Sequence, residues 1–240
     1  MRLICIDIGN TSTSIGLYER GQVSCVVSIV GGILANFSAC MSTLRQIAVS
    51  DVNGVCVASV VPKVNLAWEK LICETCGCRP HFISYKSPLG FELDYPAPEC
   101  IGADRLADAA GVDFGTALNF EVLDDRPAYR GGVIAPGLPL MTSYLHEKTA
   151  LLPSVELGGK TPEIGRSTEE AIALGARVGY RGIVREILGH LQVPFCGEAK
   201  VVATGGYAEW VLNGADMDVL IDSTLTLYGL GVVFEHGVNE

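Results

Sequence analysis

The sequence lacks several features that mark whole classes of protein. Lysine and arginine number 17 against 27 aspartates and glutamates, a formal charge of −10, and no run of basic residues occurs. Nucleic-acid and anionic-membrane binders carry a basic face, so neither partner is expected. No stretch approaches the roughly 18 uncharged apolar residues of a membrane span. The apolar run at the N-terminus stops at Asp7, short of a signal-peptide core. No Gly-x-x-x-x-Gly-Lys-Ser/Thr P-loop occurs, and no Gly-x-Gly-x-x-Gly follows a strand. Low-complexity tracts and short-period repeats are also missing. With 49% apolar and 18% charged residues, the composition excludes a disordered, collagen-like or coiled-coil chain.

What is present suits a globular α/β enzyme. A chain of 240 residues buries roughly 70% of its unfolded surface and needs no staples. Nine cysteines, an odd number without an export signal, read as reduced thiols, and a cytoplasmic location is expected. Leu3–Asp7, Ser14–Tyr18 and Gln22–Ile29 predict a three-strand meander turning at Glu19-Arg20-Gly21. Phe37–Ala48 and Val64–Cys73 have helical spacing, whereas Gly54–Val61 and His81–Ser84 read as strands. Pro88, Pro96 and Pro98 then predict a loop or crossover.

The second half partly repeats this order. Asp113–Glu121, Val122–Asp124 and Tyr129–Ile134 are expected as strands around a turn at Asp125-Arg126-Pro127. A helix over Leu138–Thr149 follows, then a long one opening at Ser167, where Ser167 and Glu170 form a capping box. Lys200–Ala203 is a strand running into Thr204-Gly205-Gly206, and Leu225–Glu235 is a final helix. The motif Asp7-Ile8-Gly9-Asn10-Thr11 recurs as Asp113-Phe114-Gly115-Thr116-Ala117, 106 residues later. The expected fold is α/β, with two similar lobes, mixed central sheets and an inter-lobe cleft, divided as residues 1–100 and 101–240.

Asp-x-Gly-Asn/Thr at a strand–turn–strand junction suits phosphate. Glycine lets the backbone approach a ligand, successive N–H groups hold oxygens, and the carboxylate holds Mg²⁺ directly or through water. One copy is ordinary hairpin chemistry, but two at matched places in a duplicated fold are a stronger signal. Gly205-Gly206 reads equally as a ledge under a nucleotide and as a tight turn. Asp104 beside Arg105 is either a surface ion pair or an acceptor site. In the second case the carboxylate takes a hydroxyl proton and the guanidinium holds an anionic group.

Eight motifs in order then carry a resemblance. They are Asp7–Thr11, Ser59-Val-Val-Pro62, Tyr95 seven residues before Gly102-Ala103-Asp104-Arg105, Asp113–Ala117, Gly131–Gly137, Gly165-Arg-Ser-Thr168, Ala203-Thr-Gly-Gly206 and Leu225–Leu230. Together they resemble the type III pantothenate kinases of the actin-like ATPase and sugar kinase superfamily, over nearly the whole chain. The resemblance implies two ribonuclease H-like lobes. It implies ATP-dependent phosphorylation of the primary hydroxyl of pantothenate to 4′-phosphopantothenate, the first step of coenzyme A synthesis. It also implies a homodimer, Mg²⁺ with ATP, and a monovalent cation, K⁺ or NH₄⁺. By position, Asp7, Ile8, Gly9, Asn10, Thr11, Ser12, Thr13 and Ser14 match the phosphate loop, and Thr116 a further ATP contact. Asp104 matches the proton acceptor. Tyr95, Gly102, Ala103, Asp104, Arg105 and Thr168 match the pantothenate contacts, and Asp113 the cation ligand.

The chain departs from that pattern in one stretch. The family carries a longer helix and a full strand where only Leu106–Val112 separates Arg105 from Asp113, about a dozen residues fewer. Ala110-Gly111-Val112 supplies three strand residues at most, so a short central strand and a loosely held Asp113 are expected. Asn119 and Glu121 stand where the family usually has Thr and Asp. A catalytically weak or inactive homologue, acting as a binding or regulatory protein, is therefore the alternative. Another acceptor on the same scaffold is disfavoured, because Tyr95, Arg105 and Thr168 match together. Cys73, Cys76, Cys78 and His81 are zinc-ligand types but crowd into nine residues without a second cluster, so free thiols are expected. His146, His190 and His236 read as solvated or packed. Gly175 and Gly179 read as close helix packing, within the subunit or at a dimer interface.

Overall fold

The computed structural model describes residues 1–48, 52–109 and 111–239. The first elements are β1 (Arg2–Ile8), β2 (Ser12–Glu19), β3 (Gln22–Val30), α1 (Gly32–Ala35), α2 (Phe37–Ile47), β4 (Gly54–Ser59), α3 (Asn65–Cys76), β5 (His81–Phe82) and β6 (Glu92–Leu93). They are followed by α4 (Ala103–Ala107), β7 (Gly111–Phe114), β8 (Ala117–Leu123), β9 (Ala128–Pro136), α5 (Leu138–Lys148) and α6 (Thr168–Leu191). The chain ends with β10 (Val202–Thr204), α7 (Ala208–Leu212), β11 (Leu220–Ile221) and α8 (Leu225–Asn239). One sheet has the order β3-β2-β1-β4-β5 and the other β11-β10-β7-β8-β9-β6. Both are mixed. β1 is antiparallel to β2 and parallel to β4, and β7 is antiparallel to β8 and parallel to β10.

Two compact units form: Met1–Ala109 with Glu121–Gly131 and Thr224–Glu240, and Ala110–Phe120 with Gly132–Ser223. This grouping differs from a division at residue 100, and the C-terminal helix shows why. Leu227, Leu230 and Val233 of α8 are buried with Leu3 and Cys5 of β1 and Tyr18 of β2. The helix thus completes the core of the first sheet, although it lies at the far end of the chain.

The apolar run of β1 follows from its two covers. Successive side chains of a strand point to opposite faces. Ile4, Ile6 and Ile8 pack with Leu44 of α2 and Trp68 of α3, while Leu3 and Cys5 meet α8. A strand buried on both faces needs no polar alternation. Each large aliphatic side chain so buried contributes about 1.5–3 kcal/mol. In α2 the buried residues Cys40, Thr43, Leu44 and Ile47 fall on one stripe, as the helical spacing requires.

In the second unit Val112, Phe114, Leu118 and Phe120 are buried with Ala176, Tyr180 and Val184 of α6. Ser167 caps α6 as expected, accepting the Glu170 N–H at 3.1 Å, while Glu170 Oε2 accepts the Arg166 N–H at 2.7 Å. One expectation is corrected. The strand expected over Asp113–Glu121 is two strands, because the chain turns at Gly115-Thr116 and the Gly115 N–H donates to Ala117 O at 3.1 Å. Asp113 then pairs with Asn119 across the hairpin. β7 is four residues long, short as expected: Gly111 and Val112 precede Asp113, and Asp113 and Phe114 themselves join the ladder. Ala110, also read as strand, lies outside the described residues. The Pro-rich crossover contains a short strand, β6, parallel to β9.

Candidate active site

The first Asp-x-Gly hairpin sits at the carboxyl ends of β1 and β4. Asp7 is half-buried, opposite Ser14 of β2 and level with Ala58 of β4. The turn is held by backbone bonds: Gly9 N–H to Ser12 O at 3.0 Å, and Gly31 N–H to Thr11 O at 2.7 Å. Asn10 and Thr11 are exposed, whereas the side chains of Ile8 and Thr13 are buried. Those two positions therefore offer a ligand only their backbone. Val60 joins this end to the next motif. Its N–H donates to Ile8 O at 3.1 Å, and a Cβ placed on Gly102 would lie 3.5 Å from its side chain.

Gly102 is the N-cap of α4, and Ala103, Asp104 and Arg105 form its first turn. Asp104 Oδ1 accepts the Arg105 N–H at 2.8 Å. Burial pushes the Asp104 carboxyl above the usual carboxylate range, opposed by that N–H and by the Arg105 charge. Arg105 makes a two-point pair with Glu121 of β8, Nε to Oε1 at 2.6 Å and Nη2 to Oε2 at 3.0 Å. The Tyr129 hydroxyl of β9 donates to Glu121 Oε2. Burial raises the Glu121 carboxyl, and Arg105 and Tyr129 act against it. Tyr95 lies 5.9 Å from Tyr129, ring centre to ring centre, with the rings tilted by 58°.

The second hairpin holds Asp113 at the end of β7. Gly205, after β10, has φ +92°, and a Cβ there would strike the Asp113 carboxylate and the Phe114 backbone. Only glycine permits this approach. Asn119, opposite Asp113 in the ladder, is 8% exposed, and its Oδ1 has no hydrogen-bond partner. A buried carbonyl oxygen without a donor, facing across from a carboxylate position, is a donor set that fits a hard cation. Thr116 lies in the turn. Thr168 opens α6 and lines a groove between α5 and α6.

Tyr95, Gly102–Arg105 and the Asp7–Ser14 hairpin thus belong to the first unit, and Asp113, Thr116 and Thr168 to the second. The sequence profile of the type III pantothenate kinases matches residues 3–190. The chain belongs to the type III pantothenate kinase family. The type III pantothenate kinase of Methylacidiphilum infernorum is 38% identical over 97% of this chain and 88% of its own length. That of Akkermansia muciniphila is 44% identical over 73% of this chain and 76% of its own length. Component A of the (R)-2-hydroxyglutaryl-CoA dehydratase of Acidaminococcus fermentans shares the fold, at a TM-score of 0.56 and 11% identity, covering 98% of this chain and 99% of that one. The two mixed sheets are those of the actin-like ATPase fold.

For this pantothenate kinase family member, the residues that join the Arg105 cluster without having been anticipated there are Glu121 and Tyr129. A signal existed: a glutamate in an otherwise apolar strand must find a partner when buried. Which partner it finds depends on tertiary structure. Cys73, Cys76 and Cys78 are free thiols, and burial pushes that of Cys76 up to about 11. Among the described residues no group of His, Cys, Asp and Glu is arranged to hold a metal by itself.

Proposed function

We propose that this chain transfers the γ-phosphoryl group of ATP to the primary hydroxyl of pantothenate, forming 4′-phosphopantothenate, with Asp104 as the proton acceptor. One observation carries this assignment. Asp104 is half-buried, with its carboxyl raised above the usual range, next to an arginine whose position is fixed by a buried carboxylate. A base needs a pKa lifted toward the working pH, and phosphoryl transfer otherwise depends on positioning and charge neutralisation. In this reading the Asp7–Ser14 hairpin and Thr116 hold ATP. Tyr95, Gly102, Ala103, Arg105 and Thr168 contact pantothenate. Mg²⁺ with the nucleotide supplies charge neutralisation, with Asp7 as its carboxylate. Asp113, joined by Asn119, holds K⁺ or NH₄⁺.

The protein acts as a homodimer in the cytoplasm on two small substrates, without nucleic acid or membrane. No described helix is long and apolar enough to cross a membrane. Supporting the dimer, Leu140, Tyr144 and Leu145 of α5 are exposed beside a groove of about 910 Å³. Contiguous apolar surface of this kind marks association sites. The four-residue β7 favours one second reading, a weak or inactive homologue that binds rather than turns over.

Asp104→Asn tests the assignment. The expected loss in kcat is about 10²–10⁴ with nucleotide binding intact. A variant within about threefold of the parent contradicts it. Two pH statements follow from the raised pKa. Activity falls as pH drops through a value above the ordinary Asp pKa of about 3.9. A carboxyl raised by folding lowers stability once ionised, so Asp104→Asn is expected to melt higher than the parent at neutral pH.

A further inference from the structure

The mechanism above uses Asp104 and Arg105 but neither Glu121, which holds Arg105, nor Tyr129, which holds Glu121. We propose that Glu121, braced by Tyr129, is a positioning residue that aims Arg105 at the acceptor and so sets pantothenate affinity. The inference rests on the acceptor-site reading of Arg105.

A guanidinium has five N–H donors in a planar fork. Glu121 takes the Nε–H and one Nη2–H, side-on. The opposite edge, Nη1 with the second Nη2 hydrogen, is thereby turned away from Glu121 and is the part left to meet an acceptor oxygen. Side-chain exposure is 12% for Arg105 and 1% for Glu121, so the pair is shielded from solvent. A two-point charged pair in such a site fixes geometry as well as energy. Glu121 has a third donor, the Tyr129 hydroxyl, on Oε2. That bond favours the ionised carboxylate, against the effect of burial, and restrains its rotation. Tyr129 is fully buried and leans on Tyr95, the other acceptor contact, which also lies against Gly131. Gly131 has φ +95°, and a Cβ there would come within 3.1 Å of the Tyr95 ring. One buried carboxylate and one buried phenol thus set both Arg105 and Tyr95 within the first unit.

If Arg105 holds a part of the acceptor remote from the reacting hydroxyl, its contact is equal in ground and transition states. Loss of such a contact raises KM and leaves kcat alone. Glu121→Gln keeps the shape but removes the charge. The expected result is a pantothenate KM about tenfold higher or more, with kcat and the KM for ATP within about twofold. Glu121→Asp, which keeps the charge, is expected to recover part of the loss. The decisive comparison is a double-mutant cycle with Arg105→Ala. The Glu121→Gln effect on pantothenate KM is expected to vanish in that background, because Glu121 acts only through Arg105.

Additive losses, or equal losses for pantothenate and ATP together with a lower melting temperature, overturn the proposal alone. An Arg105→Ala enzyme with the parent's pantothenate KM overturns both the proposal and the acceptor-site reading. Should Glu121→Gln not fold, Tyr129→Phe, which removes one hydroxyl, carries the same cycle with a smaller KM rise. No rise in Tyr129→Phe then overturns the proposal.

Discussion

β1 and β7 carry the same Asp-x-Gly turn on unequal supports. β1 is seven residues long, pairs along its length with β2 and β4, and is covered on both faces. β7 is four residues long, and its ladders with β8 and β10 extend over three positions each. In the first hairpin the ladder itself fixes the carboxylate. In the second, side-chain packing substitutes for ladder length. Phe114 is buried against Tyr180, with rings 6.1 Å apart, and Gly205 presses directly on Asp113. The same local chemistry can therefore be mounted on backbone pairing or on packing. The two mounts respond differently to substitution.

The largest effect separates the two carboxylates. Asp7→Ala is expected to remove MgATP-dependent turnover, a loss on the order of 10³ or more, because phosphoryl transfer has little besides charge and position to draw on. Asp113→Ala is expected to cost less, on the order of 10², and to remove the response to K⁺. Initial rates across a K⁺ series measure both. Equal losses with K⁺ activation retained in Asp113→Ala remove the distinction between the hairpins.

A smaller effect compares two glycines by thermal melting. Gly205→Ala forces a side chain into positive φ and into Asp113, at a cost of about 1–3 kcal/mol or more. Gly9→Ala places its Cβ 3.2 Å from Ser12 O without positive φ, so a lesser loss is expected. A Gly205→Ala protein as stable as Gly9→Ala shows that packing does not hold the second hairpin.

These contrasts also show what was legible in the sequence. β1 announced itself, because a strand with both faces covered is an unbroken apolar run. The Ser167 cap was equally plain, since a serine three residues before a glutamate at a helix start has a single local use. β7 was legible as a short strand, but which residues join it is set by its neighbours. Gly111 and Asp113 are poor strand formers, yet the ladders of β8 and β10 recruit both. The turn at Gly115-Thr116 was legible from the repeated motif, but the strand bounds around it were not, as the apolar run continues through Phe114, Ala117 and Leu118. α7, β6 and β11 are too short for periodicity to show. Of the proposed acceptor site, Asp104 and Arg105 stood out as a motif. The Glu121 and Tyr129 support did not, because they lie 16 and 24 residues from Arg105, and Tyr129 reaches Glu121 only after the β8–β9 hairpin closes.

The smallest expected effect concerns the shortened segment itself. Adding a family-length helix and strand ahead of Gly111, about a dozen residues, is expected to improve kcat/KM for ATP and sharpen the K⁺ response by severalfold. Misplacement by about 1 Å costs up to on the order of 10² in rate, and packing already recovers part of that. Unchanged kinetics and K⁺ dependence show that the four-residue strand is sufficient.

The central claim is that this chain phosphorylates pantothenate. The direct test is ADP release by the purified protein with MgATP, with and without pantothenate and K⁺, together with mass analysis of the product. The account requires ADP release that depends on pantothenate, rises with K⁺, and yields 4′-phosphopantothenate in equal amount. A folded protein that binds ATP but releases no ADP on adding pantothenate and K⁺ contradicts it.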